Sequence, residues 1–276
     1  MNLEGARAVV TGAGSGLGRA LCVELARHHA RVLVSDLDLP SAEETGRRVE
    51  AAGGKARVLA CDVTQLEEVE ALAEVAFSEF GGVDLLVNNA GVACGGTVGE
   101  MPLAEWRRVL DVNLWGVIHG CHVFAPRLKQ QRSGHILNIA SAAGLISLGF
   151  MAPYNVSKAG VVSLSETLHA ELKPEGIGVT VACPTFFRTN IAAAGGYSDP
   201  RLREVGNRLV DQSRIEPETV ARACLRAVKQ RAPYSVPIAL GRWVWRLKRL
   251  SPSAFLLATL VLQKRFMGPR AARQEG

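Results

Sequence analysis

Short apolar runs alternate along this chain with stretches whose apolar residues recur every three to four positions. The runs at 6–11, 31–35, 56–60, 84–87, 135–139 and 178–182 are bounded by Gly, Asp or Asn. They lack the in-out alternation of a half-exposed strand, as expected of parallel strands covered on both faces. Between them, residues 16–29, 41–52, 66–80, 103–131 and 154–173 carry helical periodicity. A further helix is predicted near 217–230 and a last short strand near 234–237. Strand and helix alternating in this way predict right-handed crossovers and a doubly wound parallel α/β sheet, Rossmann-like, with helices on both faces. No repeat of solenoid length stands out. The reading is one domain over 1–240 followed by a tail over 241–276.

Composition supports a large core: 276 residues, 48% of them hydrophobic, with 28 glycines and 12 prolines that do not cluster into a linker. Six cysteines occur with no CxxC and no His at metal-ligand spacing, which predicts buried thiols in a reducing cytosol and no metal site. The start of the chain shows no basic n-region or cleavage site, so a cytoplasmic location is expected. Charge changes the picture at one end. Between Arg231 and Gly276 nine Lys/Arg face a single acid, a local +8 within a total of +6, which leaves the remainder at −2. The high isoelectric point therefore belongs to the tail, and no basic stripe suggests a nucleic-acid partner.

The first strand runs into Thr11-Gly12-Ala13-Gly14-Ser15-Gly16-Leu17-Gly18 and then a helix. Glycines there let the backbone approach a pyrophosphate, and the helix N-terminus offers free N–H groups to it. This predicts dinucleotide binding by Gly12, Ser15, Gly16, Leu17 and Gly18. The second strand ends at Asp36, 18 residues beyond Gly18, where a carboxylate can accept hydrogen bonds from the adenosine ribose and would repel a 2′-phosphate. Neither Ser15 nor Leu37 is basic, so NAD is expected in preference to NADP.

The fifth strand ends at Ser141, and thirteen residues later come Tyr154 and Lys158, an i, i+4 pair on one helix face. A phenol ordinarily titrates near ~10, and an adjacent ammonium together with a cationic nicotinamide would lower that. That is the requirement for a general acid/base at neutral pH.

Taken together, these features resemble the short-chain dehydrogenase/reductases of the common short type, over about residues 4–237. The resemblance rests on Thr11 to Gly18, Asp62-Val63, Asn88-Asn89-Ala90-Gly91, Asn113, Ser141, Tyr154-Asn155-Val156-Ser157-Lys158 and Pro184. It implies that Tyr154 exchanges a proton with the substrate oxygen, that Ser141 hydrogen-bonds that oxygen, and that Lys158 binds the nicotinamide ribose and lowers the Tyr154 pKa. It implies a water-holding relay role for Asn113 and an adenine contact for Asp62 beside Val63. Asn89, Ala90 and Gly91 would line the adenosine side and brace the sheet, and Thr189, beyond Pro184, would meet the carboxamide. A homodimer or homotetramer built on the helices at 103–131 and 154–173 is implied as well. One departure is Thr185, where many relatives have Gly after the proline, so an extended path is expected there.

Apolar residues at 142–151 and 186–214, among them Leu145, Ile146, Leu148, Phe150, Met151, Phe186, Phe187, Ile191, Ala192, Ala193, Ala194 and Tyr197, predict a lid over a hydrophobic alcohol, ketone or aldehyde. The tail mixes Trp, Leu and basic residues, and its apolar run at 255–262 falls far short of the ~20 residues that span a bilayer. It is expected to pack on a neighbouring subunit or the lid, or else to lie at a membrane surface. Two other functions compete: a 3-oxoacyl-carrier-protein reductase-like enzyme whose acidic carrier meets the basic tail, and a non-catalytic dinucleotide-binding regulator.

Overall fold

A computed structural model describes residues 1–189, 191 and 195–267, the side chains of 262–267 excepted. Ala192, Ala193 and Ala194 of the expected lid and Arg270, Arg273 and Glu275 of the tail lie outside the described residues.

Seven parallel strands form the main sheet: β1 (Arg7–Val10), β2 (Arg31–Asp36), β3 (Lys55–Ala60), β4 (Leu85–Asn88), β6 (His135–Ile139), β7 (Gly178–Ala182) and β9 (Tyr234–Ser235). Their order across the sheet is β3-β2-β1-β4-β6-β7-β9. The order reverses between β1 and β4, which opens a crevice at the carboxyl ends of those two strands. Alternate residues supply two separate cores. Val9, Leu33, Leu86, Ile136 and Val179 point to one face, while Ala8, Val10, Val32, Val34, Leu85, Val87 and Leu137 point to the other. This two-sided burial is the physical content of the unbroken apolar runs except at β3, where the burial expected of 56–60 is not found: it is an edge strand whose residues are all exposed or half-buried.

Helices α1 (Gly16–Ala26), α2 (Leu39–Ala51) and α8 (Pro217–Gln230) cover the second face. The first is covered by α3 (Leu66–Phe80), α5 (Gly116–Gln131) and α6 (Ala152–Leu172). Asp38 caps α2 by accepting from the Ser41 N–H, and Gly81 ends α3 in a left-handed conformation at φ 72°. The helix expected over 103–131 is present but is not uniform. It consists of α4 (Leu103–Leu110), a wide π turn over Asp111–Trp115, and α5. The extra residue in the wide turn rotates the helix faces relative to one another, which 3.6-residue periodicity does not register.

Three features were not anticipated. A two-stranded ladder pairs β5 (Cys94–Gly95) with β8 (Gly196–Tyr197). Helix α7 (Pro200–Asp211) follows it, capped by Asp199. The tail folds into α9 (Ala239–Leu250) and α10 (Pro252–Met267). Its inward side chains pack on the body of the fold: Gly241 approaches Thr185, the Trp245 ring lies 5.2 Å from that of Tyr234, and Phe255 is 4% exposed in the first-face core.

Candidate active site

Four segments converge at the carboxyl end of the sheet around the β1/β4 crevice. The turn after β1 is fixed by close backbone approach. Gly12 has φ +60°, and a Cβ there would lie 2.6 Å from the Ala90 Cα. A Cβ on Gly18 would overlap the Gly12 carbonyl oxygen. The Asn89 amide donates to the Thr11 and Gly12 carbonyls at 3.0 and 2.8 Å, and the Asn89 N–H donates to Thr11 Oγ1 at 3.1 Å. Asn89 thus ties the end of β4 to the glycine turn, while Gly16 (φ +50°) faces Thr189, whose Oγ1 lies 3.1 Å from a Cβ placed there.

This turn fits a dinucleotide. Ser15 occupies the N-cap of α1 without a side-chain cap, which leaves the first-turn N–H groups of Gly16, Leu17 and Gly18 free for a pyrophosphate. Asp36 accepts from the Gly14 N–H at 2.7 Å and from the Asp38 N–H at 3.0 Å. The carboxylate therefore shapes the turn, and its remaining lone pairs are available to ribose hydroxyls. Arg19 was missed in the sequence. It donates to Thr45 Oγ1 at 2.9 Å and also to the Gly14 carbonyl, clamping the turn from the α2 side. Asp62 accepts from the Thr64 N–H and hydroxyl at 2.9 and 2.8 Å, so one of its oxygens is committed to a turn. Val63 is buried against Gly116, and its carbonyl faces His119 at 2.9 Å.

The titratable groups stand beside this crevice. Ser141, at the end of β6, caps a short 3-10 turn over Ala142–Gly144, accepting from the Ala143 N–H at 3.1 Å and lying 3.5 Å from the Pro184 carbonyl. Tyr154 and Lys158 share one face of α6, the ammonium nitrogen 5.7 Å from the phenol ring centre. Lys158 is 2% exposed and donates to the Ile139 carbonyl at 3.0 Å. Asn113, fully buried in the π turn, accepts from the Val92 N–H at 2.8 Å and donates to the Val92 carbonyl at 2.9 Å. It also donates to Ser157 Oγ at 3.2 Å, and that hydroxyl donates to the Tyr154 carbonyl at 2.8 Å. Ser157 thus links the π turn to the first turn of α6. A Cβ on Gly91 would sit 3.2 Å from Asn113 Oδ1 and 3.5 Å from Lys158 Nζ, so the glycine keeps open the space both groups face. Deeper down, Asn88 donates to Asn138 at 2.8 Å and Asn138 donates to Ser165 at 3.0 Å, locking β4, β6 and α6 together.

Burial pushes the Tyr154 phenol up to about 12, with a Ser141 hydrogen bond working the other way. Burial pushes the Lys158 ammonium down to about 8. The protein's own groups therefore do not produce the lowered phenol pKa expected from the sequence. Removal from water outweighs the Ser141 hydrogen bond.

The rim differs from expectation in part. Leu145 and Ile146 are 8% and 9% exposed and belong to the first-face core, so they hold the segment down and do not line a pocket. Phe187 likewise packs against the second-face core. Leu148, Met151 and Tyr197 remain half-buried near the opening, and Phe186 is 40% exposed. Phe150 adopts φ 65°, an uncommon conformation for a bulky residue, and its carbonyl accepts from the Gly96 N–H at 2.7 Å. Thr185 is not among the residues with positive φ, as its β-branch requires.

A family model described as short chain dehydrogenase matches residues 6–196. "Probable oxidoreductase EphD" of Mycobacterium tuberculosis is 36% identical over 255 residues, covering 89% of this chain but only 43% of that protein. The chain thus spans less than half the length of this relative. "3beta-hydroxysteroid dehydrogenase 1" of Eggerthella lenta is 36% identical over 236 residues, 84% of this chain and 90% of that one. Among solved structures, a short chain dehydrogenase/reductase from Burkholderia phymatum in complex with NAD superposes with a TM-score of 0.87 at 34% identity, over 92% of this chain and 96% of the other. The chain belongs to the short-chain dehydrogenase family of oxidoreductases and has its nucleotide-binding fold.

Proposed function

We propose that the protein is an NAD(H)-dependent oxidoreductase that interconverts a hydrophobic alcohol and its carbonyl compound, with Tyr154 as general acid/base. The observation that carries this reading is the convergence of Tyr154, Ser141, Lys158 and Asn113 beside an uncapped glycine turn. A nucleotide sensor has no use for a buried ammonium beside a half-buried phenol, since the ammonium pays a desolvation cost.

The nicotinamide, when bound, supplies or accepts the hydride. In the reducing direction Tyr154 gives its hydroxyl proton to the substrate oxygen, and Ser141 donates a hydrogen bond to the same oxygen. An ammonium at Lys158 stabilises the phenolate left behind, and Asn113 with Ser157 holds the first turn of α6 in place. In the oxidising direction the same phenolate takes the alcohol proton. Asp36 supports NAD over NADP, because a 2′-phosphate would meet its carboxylate. The half-buried apolar rim and the similarity to a 3β-hydroxysteroid dehydrogenase support an apolar, alicyclic-sized substrate. Leu103, Trp115 and Val156 are 74%, 51% and 49% exposed on α4, the π turn and α6, which supports a homo-oligomer built on those helices.

The test is oxidation of NADH and NADPH against a panel of apolar ketones and small polyol-derived ketones. Higher kcat/KM with NADH and with the apolar ketones is expected. Preference for NADPH, or turnover of the polar ketones alone, overturns the respective half of the proposal.

A further inference from the structure

The outer face of the tail is unusual among the surfaces of this protein. Helix α9 has three sectors. Gly241, Val244, Trp245 and Lys248, spaced as one helical stripe, face the body of the fold. Leu240, Trp243, Leu247 and Leu250 form a second stripe that faces away from it, at 68%, 68%, 50% and 85% exposure. Between the two run the exposed cations Arg242, Arg246 and Arg249. Helix α10 also has an inner and an outer face. Phe255 is buried, whereas Leu256, Leu257, Leu260 and Val261 are 57%, 65%, 56% and 71% exposed. Eight large apolar side chains in two successive helices are thus held in water by a folded body that does not need them there.

We propose that the outer face of α9 and α10 docks on an anionic lipid bilayer. Charge decides between occupants. From residue 219 to residue 274 the chain contains no Asp or Glu. A two-fold contact with a second copy would bring this face onto itself. It would set Arg242, Arg246 and Arg249 against their own counterparts with no carboxylate in the segment to neutralise them. The homo-oligomer face proposed above lies on other helices. A negatively charged bilayer satisfies both components at once: its headgroups meet the arginines, and its acyl boundary takes up the leucines and Trp243. Among the described residues no helix is long and apolar enough to cross a membrane, so the contact is a surface one.

The position of the face gives the docking a purpose. Lys248 Nζ donates to the Leu145 carbonyl at 2.8 Å, and Gly241 lies against Thr185. Helix α9 therefore abuts both segments that border the site, the one after β6 and the one after β7. A docked molecule holds its substrate opening next to the lipid in which apolar alcohols and ketones dissolve.

The experiment is co-sedimentation of the full-length protein with vesicles of phosphatidylcholine alone and of phosphatidylcholine mixed with phosphatidylglycerol, followed also by tryptophan emission. It needs no turnover, so it stands or falls separately from the oxidoreductase reading. Binding to the anionic vesicles with a blue-shifted emission is expected, weakened by salt. L247S/L250S is expected to lower the partition coefficient at least about tenfold and R246Q/R249Q several-fold, without changing the oligomeric state in sedimentation velocity. The proposal is overturned if the wild-type protein stays in the supernatant with anionic vesicles. It is equally overturned if both variants bind as well as the wild type, or if L247S/L250S dissociates an oligomer, which would make the face an interface between copies.

Discussion

The turn after β1 and the segment after β7 both leave the sheet at its carboxyl end, yet they are held by different means. In the first, Gly12, Gly14 and Gly18 press against Ala90, Asp36 and one another, and the Asn89 side chain completes a closed set of short hydrogen bonds. In the second, little is local. The Pro184 carbonyl is met by the Ala142 N–H at 2.8 Å, the Phe186 carbonyl by Ser213 Oγ at 3.1 Å, and the Arg188 N–H by the Ile215 carbonyl at 3.0 Å. Thr185 rests on Gly241 of α9. The proposed cofactor side is built from steric necessity, with little room for variation. The proposed substrate side is assembled from parts borrowed from elsewhere in the chain, and each of those parts can change independently of the others.

Substitutions on the two sides put this difference to the test. The largest effect is expected from Tyr154→Phe, which removes one oxygen and little volume. It should lower kcat by about 10²- to 10⁴-fold while NADH still quenches or enhances fluorescence as in the wild type. Near-normal turnover in this variant would remove Tyr154 from the mechanism. Gly18→Ala comes next, because its methyl group would overlap the Gly12 carbonyl. A stability loss of about 1–3 kcal/mol is expected from the overpacking, together with at least about tenfold weaker NADH binding. If urea unfolding and NADH titration both match the wild type, the cofactor side is more pliable than its geometry implies.

Lys158→Met tests the cost of burying the ammonium. Its pKa falls from 10.5 to about 8 on folding. Between those values the unfolded chain holds a proton that the folded chain has released, so the contribution of this site to stability rises with pH across that window. Below it, the charged form opposes folding. The variant should therefore compare best with the wild type near pH 7, by about 1–3 kcal/mol relative to its standing at pH 10, although it loses the bond to the Ile139 carbonyl. Urea midpoints that shift equally at both pH values would refute the burial cost. The smallest effect is expected in the tail, at Trp243, and Trp245 on the inner face of the same helix is its control. Trp245→Ala, which unstacks a half-buried ring from Tyr234, should cost about 2–3 kcal/mol, and Trp243→Ser should stay within about 0.5 kcal/mol. Equal thermal shifts for the two would mean that α9 does not hold its orientation.

The same contrast explains what the sequence could and could not reveal. Strands covered on both faces, glycines forced by close contact and the Tyr154–Lys158 spacing leave local marks, and β6, β7, α3 and α8 fall where the hydrophobic pattern places them. The π turn around Asn113 leaves no periodic mark, because one extra residue in a turn only shifts the phase. Arg19 and Ser157 act through partners 26 and 44 positions away, which spacing along the chain does not display. Leu145 and Ile146 look like any apolar lid residues, and only packing shows that they belong to the core. The β5–β8 ladder joins segments about a hundred residues apart and two residues long, below the length at which alternation can be recognised. The effect of burial on the Tyr154 phenol is hidden for a different reason. The spacing of charges is legible in a sequence, but the depth at which they are buried is not.

The bond from Lys248 to the Leu145 carbonyl spans 103 positions, and it has a consequence for the order in which a working molecule comes into being. Synthesis delivers β1 to β4 ahead of α9, and the hydrogen bonds that close their glycine turn all come from residues 11 to 89. The wall beside Ser141 waits for α9, which lies about a hundred residues further along the chain. A nascent chain stalled near Tyr234 is expected to gain NADH affinity before any affinity for a ketone, which stepwise-lengthened ribosome-bound chains probed with both ligands would reveal. Cofactor first and substrate last would then describe the assembly of the protein as well as its architecture.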